Sequence, residues 1–260
     1  MSGLQLLSDF GLRVDGRRPN ELRQIRCKLG VFSQPDGSAY LEQGNTKVLA
    51  AVYGPHEARG QNRSKVMHDK AYINCQFSMA TFSTSERKRR PRGDRKSQEM
   101  DMHLRQTFET AVRTELYPRS QIDIYIEVLQ ADGSNYSACV NAATLALIDA
   151  GIPMKDYVCG CTATLAPAQG GETPTPMVDV SHLEENLGGP GLTVATMPHL
   201  DEVVQLELSG TRLHLAHVDG VAARAITGAA DVAAVLDKAV RQHVAQTLLA
   251  SELSGQGADT

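Results

Sequence analysis

The chain lacks the features that mark a membrane span, a secretory leader, a common metal site or a simple nucleotide-binding loop. No stretch of its 260 residues reaches the 18 apolar side chains that a spanning helix needs. Met1 to Gly30 is interrupted by Asp9, Arg13, Asp15, Arg17, Arg18, Glu21, Arg23 and Arg26, which excludes the continuous apolar region of a secretory signal. The five cysteines, Cys27, Cys75, Cys139, Cys159 and Cys161, are odd in number and scattered. They form none of the CxxC pairs of a zinc site or a thioredoxin-like redox centre, so core thiols in a reducing compartment, cytosol or nucleus, are expected. No GxGxxG follows a first strand and no GxxxxGKS/T occurs, which removes two nucleotide-binding motifs and argues against a Rossmann fold. No cofactor and no resident metal are expected.

What is present begins with an uneven charge distribution. The net charge is -4 and the sequence pI about 6.1, yet seven of the 26 Lys and Arg residues fall in the run SERKRRPRGDRK, Ser85 to Lys96. Arg87, Lys88, Arg89, Arg90, Arg92, Arg95 and Lys96 share that span with only Glu86 and Asp94. Like-charge repulsion keeps such a run solvated until a polyanion such as a phosphate backbone relieves it. Pro91 and Gly93 oppose an uninterrupted helix, so a loop feeding a helix near the end of the run is predicted. A nuclear-targeting signal or a merely solvated loop fits the same residues.

The remaining composition, 42% hydrophobic and 22% charged, is that of a folded protein with a substantial core. Ile25, Cys27, Leu29 and Val31 alternate with polar or small neighbours, the two-residue period of a strand. Tyr40 to Gln43 and Thr46 to Tyr53 flank Gly44-Asn45, a tight-hairpin signal, and Ala71 to Phe82 continues the strand-rich region. Met100, Leu104, Phe108, Ala111, Val112 and Leu116 recur at helical spacing and predict a helix of about twenty residues ended by Pro118. Ile122 to Val128 alternate as a strand, and VNAATLALIDAG reads as a buried helix stopping at Gly151-Ile152-Pro153. Later strands are predicted over Val158 to Leu165, Leu192 to Met197 and Val203 to Leu208. A last helix carries Val232, Val235, Leu236, Ala239, Val240, Val244 and Leu248, and SGQGADT reads as a frayed tail. Helices packed on mixed sheets, an α/β or mixed α+β arrangement, follow from this order.

Several separated segments share a pattern: RVDGRR at Arg13 to Arg18, EQGNTKVLAAVYGP at Glu42 to Pro55, ERKRRPRGDRKS at Glu86 to Ser97, LQADGSNYSACVNAATLALIDAGIPMKD at Leu129 to Asp156, and VDVSHLEE at Val178 to Glu185. Taken in this order, they resemble the RNase PH superfamily, and within it the ring subunits of RNA exosomes. The resemblance implies an RNase PH-like fold of repeated βαβ units, related to the ribosomal protein S5 domain 2-like fold. It implies one domain over 1–260, with halves at about 15–150 and 155–250 and a flexible tail at 251–260.

Active members of that family use inorganic phosphate to shorten RNA from its 3′ end and release nucleoside diphosphates. In them, the resemblance implies, the segment matching Asp132 to Tyr136 ends in an arginine that binds phosphate; here that position is Tyr136, and Ser134 stands where a glycine belongs. A phenol has neither the charge nor the bidentate fork of a guanidinium. The family's paired aspartates fall on Asp179 and Glu185, the second lengthened by one methylene. Read without the family, Asp179, Glu184 and Glu185 are an acidic surface cluster. The resemblance places Arg95 and Lys96 against RNA in a central pore, with Arg87, Lys88, Arg89, Arg90 and Arg92 at its mouth. It implies a catalytically silent scaffold in the nucleus, nucleolus and cytoplasm. Its implied partners are five other RNase PH-like subunits, S1/KH cap subunits, an associated hydrolytic exonuclease and single-stranded RNA, with no membrane; a phosphate-dependent exoribonuclease is the alternative.

Overall fold

The computed structural model describes residues 6–8, 10–58, 67–87, 94–166 and 174–256, with side chains through residue 249. The first sheet contains β1 (Ile25–Leu29), β2 (Gly37–Gln43), β3 (Thr46–Glu57), β4 (Tyr72–Met79) and β5 (Ser120–Gln130) in the order β1-β2-β3-β5-β4. Its pairs are antiparallel except β4 with β5, which run parallel because α1 (Arg95–Ala111) crosses between them. Gly44, at φ +61°, turns the β2–β3 hairpin, in agreement with the turn signal.

After β5 the chain enters α2 (Asn135–Asp149) and passes to a second, antiparallel sheet. That sheet holds β6 (Cys159–Ala166), β7 (Thr175–Val178), β8 (Pro190–Met197) and β9 (Glu202–Gly210), ordered β7-β6-β8-β9. The short α3 (His182–Asn186) follows β7, and α4 (Leu215–Gln256) closes the chain. Strand–helix–strand therefore occurs twice in succession: β4–α1–β5 within one sheet, and β5–α2–β6 from one sheet to the other.

Small residues let α2 lie between the sheets. A Cβ on Gly37 of β2 would stand 2.3 Å from Ala146 O, and one on Gly160 of β6 would stand 2.9 Å from Ser137 Cα. Asn141 closes the second contact, accepting from Gly160 N at 2.8 Å and donating to Gly160 O at 3.1 Å. The next residue of β6, Cys161, faces the other way, where a Cβ on Gly228 of α4 would meet its Sγ at 2.7 Å. All five cysteines are free and four are buried.

Three expectations are corrected. The helix predicted to reach Leu116 ends at Ala111, because Val112 turns extended and bridges Met154. Leu116 then sits in a 3-10 turn (Thr114–Leu116) and is exposed, so Pro118 does not end the helix. The last helix starts at Leu215, far ahead of the apolar stripe read from sequence, since its first turns pack through Val221, Ala225 and Gly228. It also continues through Gln256, into the segment read as tail; residues 257–260 lie outside the described ones. The helix α3 was not anticipated.

Candidate functional site

Asp179 follows β7 with φ +52°, and its N–H still pairs with Thr162 O on β6 at 2.8 Å. The residue is completely buried. Oδ1 accepts from Arg23 Nη2 at 2.7 Å, Arg23 Nε at 3.1 Å and Gln43 Nε2 at 2.8 Å; Oδ2 accepts from Arg23 N at 2.7 Å. Arg17 adds a second cation at 3.9 Å. Burial by itself would raise the carboxyl pKa, but the Arg23 guanidinium and its hydrogen bonds outweigh it and hold Asp179 below the ordinary value of 3.8.

A parallel pair lies beside it. Arg13 Nε donates to Glu184 Oε1 at 2.8 Å, its two Nη atoms reach Glu184 and the carbonyls of Val178 and Asp179, and both residues are buried. Glu184 also accepts from Ser181 N at 2.8 Å, completing the capping box that starts α3. Burial again opposes the charge, and Arg13 again prevails, lowering the Glu184 pKa. Arg23 further donates to Asp132 O at 2.6 Å and Gly133 O at 3.3 Å, which ties this network to the turn before α2.

In that turn Gly133 has φ +82°, and a Cβ there would stand 2.4 Å from Val180 O. Ser134 follows in the left-handed region at φ +52°, its hydroxyl donating to Val180 O at 2.9 Å. Its backbone N–H donates to Glu185 Oε1 at 2.7 Å. The exposed Glu185 thus places its carboxylate at the positive end of α2, where an external anion would otherwise be favoured. Asp179 and Glu185, six residues apart, serve different donors and different elements.

Tyr136, the next position of interest, points inward. It is 6% exposed, its hydroxyl lies 2.8 Å from Thr107 Oγ1 on α1, and its ring meets His103 edge-on at 6.3 Å. Burial pushes its pKa upward. His103 in turn contacts Glu207 of β9 at 3.3 Å. The phenol is therefore part of the packing between α1 and α2.

Arg95 and Lys96 occupy the first turn of α1, exposed, with no side-chain hydrogen bond or ion pair among the described residues. No acidic residue stands in that turn, so two cations face the positive end of a helix, a placement unfavourable by about 0.3–1 kcal/mol each. An external anion would offset that cost. Arg87 is exposed as well, while Lys88, Arg89, Arg90 and Arg92 lie outside the described residues. Among the described residues no group of three or more His, Cys, Asp and Glu is placed to hold a metal ion, and no helix is long and apolar enough to cross a membrane.

Sequence reasoning missed Arg13, Arg17 and Arg23 as partners of Asp179 and Glu184. For Arg13 and Arg17 the sequence signal was RVDGRR, which says nothing of which cation is buried, and Arg23 lies beyond that segment.

Comparison with known proteins agrees with this architecture. Residues 21–153 match the RNase PH family, described as "3' exoribonuclease family, domain 1". The chain is 58% identical over 244 residues to the exosome complex component RRP41 of Homo sapiens, covering 94% of this chain and 96% of that protein. It is 42% identical over 248 residues to the exosome complex component ski6 of Schizosaccharomyces pombe, covering 95% and 98%. A crystal structure of rice (Oryza sativa) Rrp46 superposes with a TM-score of 0.74 at 23% identity, over 88% of this chain and all of that one. The likeness to the rice structure establishes the RNase PH-like α/β fold with its βαβ repeats, related to the S5 domain 2-like fold.

Proposed function

The chain belongs to the RNase PH family, and from that premise we propose that it is a core subunit of an RNA exosome ring that guides RNA without cutting it. Its neighbours in this reading are five other RNase PH-like subunits, with S1/KH cap subunits above and an associated hydrolytic exonuclease that supplies cleavage. The pools are nuclear, nucleolar and cytoplasmic. Relatives that are 58% and 42% identical over almost their whole length carry the name exosome complex component, which supports the assembly.

The observation that carries the silent reading is the fate of the family positions. Tyr136 is consumed by the core, Asp179 is saturated by Arg23 and Gln43, and Glu185 occupies the α2 N-terminus with its own negative charge. Phosphorolysis needs a bound phosphate dianion with cations around it. Here a carboxylate stands where that dianion would be attracted, and the side chain at the arginine position is neutral and turned away.

RNA contact rests on Arg95 and Lys96, supplemented by Arg87, Lys88, Arg89, Arg90 and Arg92 at the mouth of the pore. Such contacts touch phosphates and carry little base preference. The test is a ring reconstituted with every hydrolytic nuclease omitted, given single-stranded RNA and Mg²⁺ with and without phosphate. No products are expected in either condition. Nucleoside diphosphates that appear only with phosphate, and vanish on Glu185→Ala, would establish the phosphorolytic alternative. Asp179→Ala is unsuited to this purpose, since it removes a buried structural charge.

A further inference from the structure

At the opposite end of α2 from Glu185 lies a cleft of about 450 Å³ that no part of the proposed RNA path uses. Small-molecule sites run from about 300 to 1,000 Å³, so the cleft is of ligand size, not of ion size. Its floor is aliphatic, from Ile148 at the end of α2 and from Ile152 and Met154 in the turn that follows. That turn is pinned: Met154 bridges Val112, and Lys155 N donates to Ala111 O at 2.8 Å. The N–H groups of Ala150, Ile152 and Gly151 close the last carbonyls of α2, on Ala146, Leu147 and Ile148, which blunts the negative end of the helix.

The rim is charged, and its acids are engaged while its cations are not. Asp156, with a buried side chain, accepts from Tyr157 N and His199 N at 2.7 Å each, from Leu200 N at 3.3 Å and from His199 Nδ1 at 2.7 Å. Asp237 holds Arg241 Nε at 2.7 Å, across one turn of α4. The Lys155 ammonium, both Arg241 Nη groups and His199 Nε2 are left without a partner among the described residues. With Nδ1–H fixed on Asp156, Nε2 is the nitrogen left for a ligand, an acceptor in the neutral ring and a donor in the imidazolium. Tyr157, edge-on to His199 at 6.3 Å, gives the cleft an aromatic wall.

We infer that this cleft binds a phosphomonoester carried on a flat apolar body, of the size and chemistry of a nucleoside monophosphate. The phosphate takes Lys155, Arg241 and the His199 imidazolium, charge-assisted donors among which the guanidinium engages two oxygens at once. The body covers Ile152 and Met154 against Tyr157. An acidic side chain of another protein would satisfy the cations and leave the aliphatic floor open, whereas a mononucleotide serves both.

The test is titration of the full chain with adenosine monophosphate, followed by calorimetry and by NMR of the Met154 methyl and the His199 ring, with adenosine and inorganic phosphate as separate probes. Saturable binding of the monophosphate is expected, with adenosine and phosphate each at least tenfold weaker. Lys155→Met/Arg241→Met should weaken it at least tenfold; both side chains are exposed, so circular dichroism and the thermal midpoint should match the parent. Arg95→Glu/Lys96→Glu should bind the monophosphate as the parent does. No saturable binding, binding that survives the first variant, or binding lost in the second overturns the inference, the last by placing the nucleotide on the basic run. Phosphate alone binding as tightly as the nucleotide also overturns it, since the floor then contributes nothing. If the first variant does not fold, NMR on the parent decides: shifts at Met154 and His199 sustain the inference, and shifts confined elsewhere overturn it. None of these outcomes bears on the ring reading.

Discussion

Arginine is used in two opposite ways in this molecule, in the clasp before β1 and at the start of α1. Arg13 and Arg23 are buried, each held by a carboxylate and by main-chain carbonyls, and they join the entry to the first sheet with the β7–α3 segment of the second. Arg95 and Lys96 are exposed on the first turn of α1 and engage no side chain among the described residues. In the first region a charge is tolerated only because its partner is fixed, since an isolated ion in a low-dielectric interior is strongly disfavoured. In the second the solvent screens repulsion, and the charge stays available to a ligand. Residue type does not distinguish them; desolvation does.

The sharpest way to break this contrast is to remove one partner from each region. Asp179→Ala strands Arg23 in the interior and should cost about 3–5 kcal/mol, read as a lower denaturation midpoint in urea. Replacing a whole pair, Arg13→Met with Glu184→Leu, should recover most of what either single change loses, because apolar residues of similar volume substitute well for a buried ion pair. A double change as damaging as the sum of the singles would mean that the carbonyl contacts of Arg13, and not its pairing with Glu184, hold the clasp together.

Acid separates the regions next. Asp179 and Glu184 have folded pKa values held below their ordinary 3.8 and 4.5. The stability they contribute is therefore complete above those ordinary values and is lost as pH falls through the lower folded values. Unfolding of the parent should accelerate below about pH 4, and Asp179→Ala should show a shallower pH dependence there. Equal slopes for the two proteins would deny Asp179 this role.

A smaller effect is expected between α1 and α2. Tyr136→Phe removes one buried hydroxyl and leaves Thr107 without that partner, so a loss of about 1 kcal/mol is expected from denaturation, with RNA binding unchanged. The change of opposite sign is Arg95→Glu/Lys96→Glu, which replaces two cations at the positive end of α1 with acids and should stabilise the fold by about 1 kcal/mol. Yet this variant should reduce the salt slope of single-stranded RNA binding to the assembled ring by on the order of 1.4, about 0.7 per phosphate contact. The weakening should be uniform across sequences. A normal slope would remove both residues from the RNA path.

Local periodicity carried much of the fold. β1, the β2–β3 hairpin and β5 each have one face against the helices, so alternation and the Gly44 turn were visible in a window of a few residues. Where a segment is very short or packs through small residues, that signal fades. The early turns of α4 use small residues that press against the second sheet, leaving no large apolar stripe, and β7 is four residues of mixed character defined by its neighbours. The end of α1 was misread because Val112 continues the helical spacing while its backbone pairs with Met154.

The site divides in the same manner. Sequence by itself determined which chemical groups are available: a cation-rich run, a neutral phenol at Tyr136, carboxylates at Asp179 and Glu185, and no common nucleotide or metal motif. Tertiary structure alone decided that Asp179 meets Arg23 from 156 residues away, that Glu185 turns to the α2 N-terminus, and that Tyr136 turns from it. The physical reason is that a charge acquires its role from its dielectric surroundings and its partners, and those are assembled by contacts distant in the chain, beyond the reach of any local pattern.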